Sequence, residues 1–173
     1  MLKTLQFIAG ITLLLVSPVA LFGQLSNITD VTLTFTPVGG GAAITATAND
    51  PDGDGAMPFQ VAGAIELTES TEYNLTIDVQ NSIDGVDQTT VIQQNANDYL
   101  FFFAFTDQLL TSPAGDGNID SRFDPMNYTD ADGNGLPVGL TSDWESECDE
   151  IALPGNFRVV LQHQPGIKSD TTN

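Results

Sequence analysis

The chain has 173 residues and a mean hydropathy close to zero, with 23 acidic side chains against four basic ones and a formal net charge of −19 at pH 7. So negative a surface repels nucleic acid and anionic lipid, which excludes both as partners and favours metal cations or a basic partner. A single cysteine, Cys148, excludes an internal disulfide.

Residues 1–23 read as a secretory leader. Lys3 gives a positive start, Ile8 to Val16 is an apolar run, and Ser17, Pro18 and Ala20 form a small-residue end. The run is too short and wrongly flanked for a membrane span, so the exported product is expected not to insert. Removing Lys3 with the leader takes the net charge from −19 to −20 and leaves Arg122, Arg158 and Lys168 as the basic residues. Export places the protein in the periplasm, at the cell surface or outside the cell. About 150 residues remain, enough for one domain with a real core.

Val31 to Thr36 alternates apolar residues with threonines, the pattern of a strand with one wet face. Pro37 and Gly39–Gly41 end it. Ala42 to Ala48 repeats the pattern weakly, the turn Asp50 to Gly55 follows, and Ala62 to Leu67 reads as a short strand. Tyr73 to Val79 alternates best, and Asn81 to Gly85 is a turn. Residues 86–97 suit a short helix slightly better than a frayed edge strand.

Tyr99 to Thr106, YLFFFAFT, differs from every other stretch because both parities of an extended strand are apolar. Such a run needs cover on both faces. It is expected to be the central strand of the core. After it, Asp107 to Glu150 reads as a long acidic, glycine-rich excursion, and Phe157 to Gln162 as a last strand before a polar tail, 165–173. Short strands joined by Gly, Pro and Asp turns predict a mainly β fold, an antiparallel Ig-like β-sandwich spanning 24–164, with at most one short helix and a long acidic loop. No further strand is read after Gln162 to close that sandwich.

The sharpest chemical signal is carboxylates at alternate positions followed by glycine. Asp50, Asp52 and Asp54 precede Gly55; Asp130, Asp132 and Asn134 precede Gly135; Asp116, Asn118 and Asp120 form a looser relative. Alternate residues of a tight loop turn their oxygens toward one centre, which suits Ca2+, a hard cation with six to eight oxygen ligands. The twelfth positions are Val61 and Thr141 rather than a bidentate Glu, so these are not EF-hands. Weak sites are expected, with Kd on the order of 10⁻⁴–10⁻³ M. The simpler reading of each is a solvated turn.

Other chemistry is sparse. His163 is the only histidine and shares the parity of the core residues Phe157, Val159 and Leu161, which favours a structural role over zinc. No serine lies in a G-x-S-x-G elbow, and the acidic neighbours of Cys148 would raise its pKa, so no enzyme is expected. Phe123, Tyr128 and Trp144 could form a sugar-binding platform beside the acidic loop; the plainer role is to plug that loop onto the core.

The blocks GDGNIDSRFDPMNYTDADGNGLPVGL (115–140) and FRVVLQHQPGIKS (157–169), with LFFFAFTD before them, resemble a group of small exported proteins of Bacteroidetes. Members carry a label naming a type 1 periplasmic-binding fold superfamily and are often encoded near TonB-dependent outer-membrane receptors. Many are lipoproteins, whereas no cysteine stands at the expected start of this mature chain. The resemblance implies a cell-envelope accessory of a receptor. The function expected is an exported, calcium-stabilised binding module; the alternatives are a structural or adhesive surface domain, and a carbohydrate-binding module with a glycan partner.

Overall fold

The computed structural model describes the backbone of residues 4–7 and residues 28–53, 59–107, 109–121, 124–147 and 155–169. Among these the chain is mainly β, with antiparallel sheets and one short α-helix, in a sandwich-like arrangement. In chain order come β1 (Thr4–Phe7), β2 (Asp30–Pro37), β3 (Ile44–Asn49), β4 (Gln60–Ala62), β5 (Ile65–Thr68), β6 (Glu72–Asn81) and β7 (Val86–Asp87). Helix α1 (Gln88–Gln94) and a 3₁₀ turn (Ala96–Asp98) lead into β8 (Tyr99–Phe105), β9 (Leu110–Ser112), β10 (Thr141–Ser146) and β11 (Phe157–His163). The apolar run Ile8 to Val16, expected to be the core of a leader, lies outside the described residues.

The large sheet runs β4-β3-β2-β6-β10-β9, with β7 also paired to β6. Its strands obey the period-2 rule. Val31, Leu33 and Phe35 of β2, and Tyr73, Leu75, Ile77 and Val79 of β6, are buried, while the intervening residues are wholly or partly exposed. The short helix is real. Asp87 caps it by accepting from the Thr90 N–H, and Ile92 anchors it in the core.

Strand β8 pairs with β11 from Tyr99↔His163 to Phe105↔Phe157. It is buried along nearly its whole length, and the two parities go to different places. Tyr99, Phe101, Phe103 and Phe105 face the main core with Val159 and Leu161; Leu100 and Phe102 form a second apolar patch with Val160, against which Ile119 and Tyr128 pack. The doubly apolar ribbon does have two covers. One is the large sheet, and the other is the acidic segment folded back over its outer face.

Two expectations need correction. Ala62 to Leu67 is not one strand. It breaks at Gly63, whose φ of +88° puts the backbone where side chains are disfavoured; β4 joins the large sheet and β5 leaves it to pair with β1. Nor is 107–150 an excursion hanging off the core, since β9 and β10 lie within it and belong to the large sheet. The buried parity of β10 reads Ser142, Trp144, Ser146, and two serines out of three hide the alternation.

Candidate functional site

Residues 116–118 run along the free edge of β8. The Phe105 N–H donates to the Asp116 carbonyl (2.9 Å), and the Asn118 N–H donates to the Phe103 carbonyl (2.8 Å). Asn118 is buried; its Oδ1 accepts from the Phe103 N–H at 3.0 Å, and its Nδ2 donates to the Tyr128 hydroxyl at 2.8 Å. That hydroxyl donates in turn to the Phe101 carbonyl at 2.5 Å. Asn118 therefore finishes the β8 ladder where no strand is present, satisfying backbone groups that would be costly to bury unpaired. Asp116 and Asp120 point to solvent.

The glycines of this segment serve close approach. A Cβ on Gly117 would lie 2.1 Å from the Phe103 carbonyl oxygen, and one on Gly139 would lie 2.8 Å from Tyr128 Cε1 and 2.9 Å from Phe101 Cβ. Both have positive φ. No side chain fits at either point.

At the second motif the carboxylates turn inward, toward nitrogen. Asp130 accepts from the Gly139 N–H through Oδ1 and the Leu140 N–H through Oδ2, each at 2.8 Å. Asp132 Oδ1 accepts from the Asn134 N–H (2.8 Å) and the Leu136 N–H (2.9 Å). Its Oδ2 lies 2.9 Å from Lys168 Nζ, with both side chains at 1% exposure or less. Burial alone would raise the Asp132 carboxyl pKa; the Lys168 ammonium and the two N–H groups outweigh it and hold the carboxyl below its ordinary range. Asn134 itself is exposed and its Nδ2 reaches Asn97 Oδ1 at 3.4 Å.

The cation this loop attracts is thus an ammonium from the chain's own tail. Lys168 also donates to the Ala96 carbonyl at 2.8 Å, so it ties the acidic loop to the turn before β8. The donor set at 130–134 is a poor fit for Ca2+, because the oxygens of Asp130 and Asp132 are already engaged. Among the described residues, no three His, Cys, Asp or Glu side chains are grouped to hold a metal ion. In the Asp50–Asp54 turn, Asp50 is buried and its carbonyl accepts from the Gly53 N–H at 3.2 Å; Asp52 is exposed, and Asp54 lies outside the described residues.

The two described members of the aromatic trio, Tyr128 and Trp144, are not exposed. Trp144 is 2% exposed, and its ring centroid lies 5.3 Å from those of Phe105 and Phe157 and 5.4 Å from that of Phe103. Its indole N–H donates to Ser142 Oγ at 2.7 Å. Tyr128 is half-buried against β8, while Phe123 and Cys148 lie outside the described residues. His163 stacks on Tyr99 with centroids 4.6 Å apart.

A cleft of about 330 Å³ opens on the solvent face of β6 and β10, and its lining includes Glu72, Asn74, Ser112, Asn127, Asp143 and Glu145. Register places Glu145 directly opposite Glu72, and Asp143 opposite Asn74. Asn74 Nδ2 donates to Asp143 Oδ1 at 2.6 Å, and Asn127 Nδ2 donates to Ser112 Oγ at 2.7 Å. Among the described residues, no basic side chain lines it. No family model, curated protein or solved structure matches the chain. Two features of these sites went unread in the sequence. Lys168 sits in a tail read as merely polar, and pairing Glu72 with Glu145 requires the β6–β10 register, which crosses some seventy residues of chain.

Proposed function

We propose that the protein is an exported, non-enzymatic binding module whose ligand surface is the cleft over β6 and β10, serving as an accessory to an outer-membrane uptake receptor. The observation that carries this reading is the Glu72–Glu145 pair. Like charges directly opposite on neighbouring strands oppose folding, and these two line a concavity that holds Asp143 and, among the described residues, no compensating cation. An arrangement that costs stability where a ligand could sit is characteristic of binding surfaces. The ligand class that fits is cationic: a diamine, a guanidinium compound or a basic peptide segment.

Replacing both residues, Glu72→Gln with Glu145→Gln, is expected to abolish binding of a short diamine measured by calorimetry. The same double variant should melt at a higher temperature than the parent, because removing the repulsion returns about 0.2–1 kcal/mol. Undiminished binding in the double variant would sink the assignment of the cleft.

Calcium stabilisation belongs, in this reading, to the Asp50–Asp54 turn and not to residues 130–134. Millimolar Ca2+ should raise the melting temperature of the parent and of Asp130→Asn alike, and Asp52→Asn should lose the shift. No shift in the parent would remove calcium from the account.

A further inference from the structure

The amine of Lys168 and the carboxyl of Asp132 are buried against each other in a way that suits a reaction as well as an attraction. Nζ lies 2.9 Å from Oδ2, and the two side chains are 1% and 0% exposed. Oδ2 has no hydrogen-bond partner, so the contact brings charge to charge without the alignment of a hydrogen bond. The directed bond of the amine runs elsewhere, from Nζ to the Ala96 carbonyl at 2.8 Å. On the other side of the carboxyl, Oδ1 accepts from the Asn134 N–H at 2.8 Å and the Leu136 N–H at 2.9 Å. A nucleophilic nitrogen thus stands at one carboxyl oxygen, while two backbone donors hold the other. Keeping two charges out of water is costly, and a neutral link made from the same atoms removes both.

We propose that Lys168 and Asp132 condense to an intramolecular amide, a covalent clasp between the tail and the acidic loop, for which the buried ion pair is the precursor. Nζ first passes a proton to Oδ2, leaving an amine beside a carboxylic acid. The amine lone pair attacks Cγ and the C–N bond forms. Negative charge then gathers on Oδ1, where the Asn134 and Leu136 N–H groups already point, as donors in an oxyanion hole do. A second proton moves from nitrogen to Oδ2, the Cγ–Oδ2 bond breaks, and water leaves. The hydrogen that stays on nitrogen keeps its bond to the Ala96 carbonyl. No oxidant or co-reactant is needed, and net charge is unchanged. Fixed proximity of the two groups replaces the activation that amide formation otherwise requires. The donors that hold the Asp132 carboxyl below its ordinary range also keep the pair ionised, so the fresh protein carries the ion pair and the bond forms slowly. A chain with one cysteine has no internal disulfide, and this link would constrain the unfolded state as a disulfide does.

Intact mass tests it on the full chain, incubated for days below its melting temperature. A species lighter by one water is expected to accumulate until it dominates, and it should melt at a higher temperature than the fresh protein. Its proteolytic digest should contain one branched peptide joining the segment of Asp132 to that of Lys168. Lys168→Arg keeps a cation beside Asp132 and should stay at full mass. Gly133 follows Asp132, and closure of that backbone to a succinimide also expels one water. The succinimide would form in Lys168→Arg as well and would open in mild alkali, whereas the clasp does neither. The branched peptide decides the question in the parent alone, whether or not the variant folds. A folded parent that stays at full mass, or one that loses water without yielding the branched peptide, overturns the proposal.

Discussion

Replacing Trp144 with alanine is expected to remove about 3–5 kcal/mol of folding stability, the usual loss for a large aromatic truncated in a packed core. For a chain of this size that corresponds to a fall in melting temperature on the order of 10 °C. The indole is enclosed by Phe35, Phe103, Phe105 and Phe157, with ring centroids 5.3–6.2 Å away, and it joins β10 to the β8–β11 layer. Its one polar atom is satisfied by Ser142. Truncation therefore opens a cavity lined by rings that cannot all close on it. Urea denaturation measures the loss, and Trp144→Phe should retain most of the stability. If Trp144→Ala melted with the parent while losing affinity for a glycan, the indole would have to stand at the surface as a platform.

The second large effect concerns Lys168. Lys168→Met leaves the Asp132 carboxylate buried with no counter-charge, and breaking a buried pair in this way costs about 3–5 kcal/mol. The pH dependence has a definite sign. In the parent the Asp132 carboxyl is held below its ordinary value of 3.8, so its contribution is complete above that value and is lost as pH falls through the lower, folded one. In Lys168→Met only burial and the two N–H groups remain to set that pKa. Protonation then relieves the isolated charge, and the gap between variant and parent should narrow on acidification. Thermal melts from pH 7 down to the acid limit of the fold measure it. Adding Asp132→Asn to Lys168→Met should recover part of the loss, since the amide oxygen keeps the Asn134 and Leu136 N–H groups paired. A gap that stays constant with pH would show that Lys168 acts through its aliphatic stem alone.

The strands that could be read from the sequence, β2, β3, β6, β8 and β11, are those whose buried parity is apolar along most of its length. The hidden ones fail that condition for identifiable reasons. In β10 the inward positions are Ser142, Trp144 and Ser146, whose serine hydroxyls find partners in Trp144 Nε1, Thr68 O and the Thr71 N–H, so polar residues are buried at little cost. Strands β4 and β5 are short, and the turn at Gly63 sends them to different sheets. The acidic motif at 130–135 was legible as a loop that gathers oxygens. What it gathers them around was not, because Lys168 approaches from more than thirty residues downstream. The glycines of 115–140 read in the sequence only as part of a glycine-rich excursion, yet Gly117 and Gly139 mark where the segment lies flat against β8.

The sequence by itself determined that this is a mainly β chain and that Tyr99 to Phe105 needs cover on both faces. Period-2 alternation and two-sided apolarity are local properties of an extended backbone, and no distant residue is needed to see them. Only the tertiary structure decided what the second cover is, which cation meets Asp132, that Glu72 faces Glu145, and that β5 has one edge paired by residues 4–7. Each of these depends on register or on contacts between segments far apart in the chain, and the chain's own periodicity carries no record of either.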